Sequence, residues 1–456
     1  MGFSRTQSIY IALEPSQVWD LLSDPSAWVQ FDDQLQQFAP TSMAGDRLQA
    51  GDTVKIVPKA LIRGFVHAVT APAARIVTAR EQRELTWRQN QPGGYTQQRW
   101  LIEPAGNGTT LTRQTHVVGP LSAPLGIALA EPLAGDLGPV GARMFQMASP
   151  GPDLAQPLTI VAGGSGYLGS RLVTRLLAAG QRAIVLTRNP ASAAPYPQVR
   201  WGHDDLEPLQ EQLQDAAGFN IINLAGRRLG PKFTPKELRY QTASRVGPTQ
   251  TLREAVEAAQ GAGGVLHRWI QGSAVPLWAS NSTAEFTEDT SPTADVDGPA
   301  GMGQLVADWE AAAPDHAIIV RTGVVLGQRA EITAGLTAMA RTKTRLSVNG
   351  YLPWIHEEDW VGLVQHLLAM PNPPATVVAV APQQTRLAEA IRWLAPGYGP
   401  RNVPVPAALL NLGMNTIRME PGLLMGSTRA RSMVLDQIGY SFRFPTIGEA
   451  GDAVSL

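Results

Sequence analysis

One stretch of this chain carries the clearest chemistry. Leu158-Thr159-Ile160-Val161-Ala162 is an apolar run that leads directly into Gly163-Gly164-Ser165-Gly166-Tyr167-Leu168-Gly169. Beyond it, Leu168, Leu172 and Leu176 fall on one helical stripe, with Val173 and Leu177 beside it. Strand, glycine turn and helix in that order form a cradle for a pyrophosphate. Gly163 permits the tight turn, Gly166 lets backbone approach the phosphates, and Gly169 lets helix and strand pack closely. The unpaired N–H groups of the helix N-terminus, and its dipole, favour an anion there.

The segments that follow extend the cleft. The next strand, 183–187, ends at Arg188, where an acidic residue would accept from the ribose 2′-OH of NAD. A cation pairs instead with a 2′-phosphate, so NADP(H) is expected in preference to NAD(H). Asp204-Asp205-Leu206 follows the third strand, which places Asp205 towards the adenine. Asn223-Leu224-Ala225-Gly226 ends the fourth, with its backbone under the adenosine ribose. Thr234-Pro235-Lys236-Glu237 is a capping box with Pro at the first helical position. The helix it starts runs through Ser244-Arg245-Val246 towards Ala259, and Ser244 faces either the cofactor or solvent.

His356-Glu357-Glu358-Asp359 invites a metal or acid–base reading, but acidic residues in a helix's first turn complement its dipole. The other histidines show no ligand spacing, so no metal is expected. The absence of cysteine excludes disulfides, thiolate nucleophiles and iron–sulfur clusters.

Three segments must position these residues. Residues 1–148 read as α+β: a first strand at 8–12, a helix from Pro15 to Asp24-Pro25, then strands over 53–57, 65–70, 85–88, 98–103 and 109–118. Asn107-Gly108 marks a hairpin, and 123–147 is predicted as one long closing helix. Residues 149–156 are a linker by composition. Strand–helix alternation over 157–395 predicts a doubly wound parallel sheet, an α/β architecture of the Rossmann kind. Residues 396–456 form a Pro-rich tail on the substrate side, with one or two helices and an aromatic strand at 440–444.

Composition narrows the partners. The chain has 456 residues, 44% of them hydrophobic and only 16% charged, with a net charge of −1. That leaves no electrostatic case for nucleic acid or an acidic membrane surface. The most apolar stretch, 121–144, is broken by Glu131, Asp136 and Arg143, and the start lacks a signal-peptide pattern. A cytoplasmic protein is expected.

Taken in order, the glycine motif, Asn223 to Gly226, Ser244 to Val246, Trp309-Glu310, Arg321 to Leu326, Pro353 to His356 with Asp359, and Gly439 to Pro445 resemble one known group. It is the set of atypical short-chain dehydrogenases named as nucleoside-diphosphate-sugar epimerase-like proteins, and the likeness covers about 157–455. The first segment, above all Val18-Trp19-Asp20-Leu21-Leu22-Ser23-Asp24-Pro25, resembles START-like polyketide cyclases and lipid-binding domains. There a curved sheet grips a long helix around an apolar cavity.

The resemblance implies a nucleotide cofactor, a small-molecule substrate and, for the first domain, an apolar ligand. It also implies a catalytic Tyr and Lys one helical turn apart, with a Ser at the preceding strand end holding the substrate oxygen. Ser273 keeps the last role, but the Tyr and Lys positions fall on Ala300 and Gln304. The relatives' Gly-Tyr-Tyr-Gly-like turn reads Pro276-Leu277-Trp278-Ala279 here, and their Gly-rich loop reads Thr344 to Gly350. Two functions stay open: an NAD(P)-binding, nucleotide-sugar epimerase-like oxidoreductase of unknown substrate with a degenerate Tyr/Lys pair, or a non-catalytic NADPH-dependent ligand-binding or sensor protein.

Overall fold

The computed structural model describes residues 3–59, 72–91, 93–119, 133–202, 206–215, 217–228, 234–275, 285–292, 301–328, 330, 332–333, 336, 344–345, 350–394, 403–404 and 427–454. The described residues up to 148 form one antiparallel sheet packed against helices. Its strands are β1 (Phe3–Ile11), β2 (Leu35–Ser42), β3 (Thr53–Pro58), β4 (Ala74–Arg80), β5 (Glu84–Gln91), β6 (Gly94–Ala105) and β7 (Gly108–Val118). They lie in the order β1-β7-β6-β5-β4-β3-β2. The helices are α1 (Pro15–Ser23), α2 (Trp28–Phe31) and α3 (Gly138–Ala148). The Asn107-Gly108 hairpin is present, with Ala105 opposite Gly108. Strands β2 and β4 carry weak alternation and escape the sequence reading, while the strand predicted over 65–70 lies outside the described residues.

Cross-strand register sorts the gripping face into rows. Ile9, Leu111 and Ile102 make an apolar row, followed by Gln7, Arg113, Trp100 and Leu85, and then by Arg5, Thr115, Gln98 and Trp87. The aromatic centre is packed, with Trp28 stacked on Phe38 at 4.2 Å and edge-on to Trp100 at 5.6 Å. The polar end of the face has its own task. Thr115 and Gln98 both donate to the carbonyl of Leu133, Arg5 to that of Ala134, and Arg113 to that of Gly135. These bonds take carbonyls that an uninterrupted helix would need for its own ladder. The helix predicted over 123–147 is therefore corrected: in its described part the chain bends at 135–137 and α3 begins at Gly138.

After residues 149–157, which hold no helix or strand, the chain alternates strand and helix. Strands β8 (Leu158–Ala162), β9 (Ala183–Thr187), β10 (Gln198–Arg200), β11 (Phe219–Asn223), β12 (Leu266–Ala274), β13 (Ile318–Thr322) and β14 (Thr376–Ala379) form a parallel sheet in the order β10-β9-β8-β11-β12-β13-β14. Helices α4 (Tyr167–Ala178), α5 (Glu207–Gln212), α6 (Pro235–Gly261), α7 (Met302–Ala312) and α8 (Glu357–Ala369) link or follow these strands. Chain order reverses between β8 and β11, so the crevice for a ligand opens at their carboxyl ends. Thr234 caps α6 by accepting from the Glu237 N–H at 3.1 Å.

The two halves are packed together. Helix α3 lies against α4, the Ala12 N–H donates to the carbonyl of Ala178 at 2.8 Å, and Asp136 pairs with Arg175 at 3.1 Å. The aromatic segment 440–444 is corrected from strand to loop. Its backbone N–H groups at Arg443 and Phe444 bond the Asp359 carboxylate at 2.6 and 3.0 Å, so no sheet partner is needed. Among the described residues no helix is long and apolar enough to cross a membrane.

Candidate dinucleotide site

The glycine turn is built as tightly as a phosphate cradle requires. Gly163 has φ +75°, and a Cβ there would stand 2.5 Å from the carbonyl oxygen of Leu224. A side chain at 163 would thus push away the loop after β11, which forms the opposite wall. A Cβ at Gly169 would meet the Gly163 oxygen at 2.6 Å, so α4 can start this close only with glycine there. Gly166 is the N-cap, with extended backbone and no side-chain cap, and Ser165 and Gly166 are exposed. The N-cap residue of α4 therefore offers no side-chain acceptor to the first-turn N–H groups, as a phosphate site needs.

The remaining expected cofactor residues divide. Arg188 is exposed at the end of β9 and has no partner among the described residues. Leu224 and Ala225 lie on the turn's far wall, which Asn223 anchors by donating to Thr249 at 2.8 Å and Gln271 at 3.0 Å. Ser244 faces this wall, because its hydroxyl accepts from the Arg227 N–H at 3.1 Å. Leu168 is half-buried against the apolar core. Tyr167 turns its hydroxyl inward to the buried carboxylate of Glu357. Arg171 stacks 3.9 Å from the centre of that ring and lies 2.6 Å from the same carboxylate. Asp205 lies outside the described residues.

At the end of β12, Ser273 donates to Glu310 at 2.6 Å, and Arg321 grips both oxygens of Glu310 at 2.9 Å. The Arg321 guanidinium also donates to the carbonyls of Glu288 and Thr290. From the sequence, Glu310 and Arg321 are landmarks of the resemblance only. Their pairing on Ser273 has no spacing signal, since 37 residues separate Ser273 from Glu310. Of the degenerate pair, Gln304 is exposed and donates to Asp308 at 2.7 Å, whereas Ala300 lies outside the described residues, as do 276–279.

The His356 run is absorbed by the fold. His356 caps α8 by accepting from the Glu358 N–H at 3.2 Å, and burial, with the charges of Arg443, Arg175 and Arg171, pushes its pKa down to about 3. Glu357 holds Arg171 and Tyr167, Glu358 pairs with Arg443, and Asp359 holds the 443–444 backbone. Burial pushes the Glu357 carboxyl above the usual range despite Arg171. Among the described residues no group of His, Asp and Glu is arranged to hold a metal ion.

A glycine turn at the reversal point of a parallel sheet defines a dinucleotide-fold protein, and comparison with known proteins narrows the class. Residues 159–379 match the NAD dependent epimerase/dehydratase family, 3–143 match polyketide cyclase / dehydrase and lipid transport, and 405–453 match a domain of unknown function. The epimerase family protein SDR39U1 of Bos taurus is 30% identical over 309 residues, covering 64% of this chain and 97% of its own. The chain belongs to the NAD dependent epimerase/dehydratase family. Human SDR39U1, solved with NADPH, has TM-score 0.51 and 24% identity over 65% of this chain and 98% of its own. The nucleoside-diphosphate sugar epimerase from Corynebacterium glutamicum follows the fold through both halves, with TM-score 0.54 and 20% identity over 98% of this chain and 90% of its own.

Proposed function

We propose that the chain binds NADP(H) and acts as an epimerase-like oxidoreductase on a small-molecule carbinol or carbonyl. The observation that carries the reading is the glycine turn: its positive φ, its contact with Leu224 and the uncapped α4 leave a cradle only backbone can line. Arg188, exposed at the end of the next strand, stands ready for a 2′-phosphate. The NADPH held by human SDR39U1 agrees with this choice. A nicotinamide bound at the carboxyl end of the sheet supplies hydride exchange. This chain's own part is the proton: a carbinol O–H donates to Ser273 Oγ while the Ser273 proton passes to Glu310. Turnover with a carbonyl and carbinol panel tests this, with Ser273→Ala and Glu310→Gln each expected to lower any rate by about 10²-fold or more.

A second reading is favoured by Gln304, which bonds Asp308 at the surface of α7 instead of supplying a cation. In it the chain is a non-catalytic sensor, whose first domain takes an apolar ligand and whose second reports cofactor state. Tight NADPH binding with no consumption across the panel selects this reading.

A further inference from the structure

One half-buried cation of the cleft stands apart. Arg171, Arg175 and Arg321 each face a carboxylate, but among the described residues Arg245 on α6 meets only neutral acceptors. Its Nη1 donates to the Gln241 carbonyl at 3.2 Å, to Gln241 Oε1 at 2.8 Å and to Ser244 Oγ at 3.2 Å. Its Nη2 donates to the Arg227 carbonyl at 3.1 Å. A guanidinium has five N–H donors, so Nε–H and one Nη2 proton are left over. The residue is half-buried, and desolvation pushes its pKa down to about 10. Withdrawing a cation without a counter-charge is costly, and a fold keeps it where an anion arrives.

Its place says which anion. Gly163 touches Leu224, and two residues further on a Cβ at Gly226 would lie 3.2 Å from the Arg245 guanidinium carbon. On its other side Arg245 lies 5.2 Å from the ring centre of Trp309, and that ring approaches Gly272, next to Ser273. Arg245 thus sits between the phosphate cradle and the strand end where chemistry would occur, away from Arg188 at the end of β9. We infer that Arg245 is the counter-charge for the dinucleotide's pyrophosphate, held ready beneath Gly226 and recruited when the cofactor enters. The inference rests on the proposed binding of NADP(H).

The test is equilibrium binding to the full chain, followed by intrinsic fluorescence, with NADPH, NADH and 2′,5′-ADP as probes. The last keeps the adenosine phosphates but lacks the pyrophosphate bridge. Arg245→Gln should weaken NADPH and NADH by the same roughly 10- to 100-fold factor, the worth of a charge-assisted bond, and change 2′,5′-ADP less than about 3-fold. Arg245→Lys, which keeps the charge, should recover much of the loss. Should Arg245→Gln fail to fold, Arg245→Met, which keeps the apolar stem beside Trp309 but not the charge, should give the same selective loss. Unchanged NADPH affinity in a folded Arg245→Gln overturns the inference, as does an equal loss on 2′,5′-ADP. Wild-type chain that binds 2′,5′-ADP but neither dinucleotide overturns it too, whereas wild type that binds none of the three defeats the NADP(H) reading itself.

Discussion

Asp136, in the bend that leads into the last helix of the first domain, lies 3.1 Å from Arg175 on the dinucleotide helix. Three carbonyls just before it are tied by Arg5, Gln98, Arg113 and Thr115 from the gripping face. The START-like domain is therefore fastened to the helix whose first turn forms the phosphate cradle. Burial pushes the Asp136 carboxyl up, but Arg175, Arg171 and the Gly138 N–H outweigh it and leave it below its usual range.

Asp136→Asn should cost about 3 kcal/mol at neutral pH, because it strands a largely buried guanidinium. A carboxyl with a depressed folded pKa contributes stability above its unfolded value of about 3.9, lost as pH falls through the folded value. The gap between wild type and variant in chemical denaturation should therefore be constant above about pH 4 and close below it. A gap that persists into strong acid would show that packing, not charge, makes this contact.

Gly163→Ala should destabilise by more than about 2 kcal/mol, combining a left-handed backbone with displacement of the Leu224 wall. NADPH affinity should fall at least about 10-fold with it, since the cradle loses its shape. Thermal melting and NADPH titration of the one variant check both parts.

His356 gives a pH signature of the same sign as that of Asp136, but at higher pH. Its folded pKa is about 3, against the usual 6.5, so between these values the unfolded chain takes up a proton that the folded chain refuses. Stability should fall by up to about 1.4 kcal/mol per unit as pH drops below 6.5. His356→Asn keeps a capping acceptor and removes this titration, so its stability profile between pH 4 and 7 should be flatter than the wild type's.

Glu310→Gln should destabilise more than Ser273→Ala, by about 3 against about 1 kcal/mol, because only the first leaves Arg321 uncompensated. Equal costs would mean that the carboxylate is not what holds Arg321.

Local periodicity made much of this fold readable. The strand, turn and helix of 158–178 are contiguous, and the Thr234 cap announces its helix within four residues. The bend at 135–137 was not readable, because it depends on side chains from three strands that meet Leu133 to Gly135 only in the folded sheet. Segment 440–444 alternates like a strand, yet its N–H groups are claimed by Asp359, more than 80 residues away. At the site, glycines signal backbone geometry directly. Arg245 signals nothing by spacing; what marks it is that its partners among the described residues are all neutral.

The most direct measurement is a parallel titration of NADPH and NADH into the purified chain and Arg188→Ala. One NADPH site per chain is expected, at least about 10-fold tighter than NADH, with loss of that preference in the variant. Failure of both dinucleotides to bind, or equal affinity for the two in wild type, would contradict it.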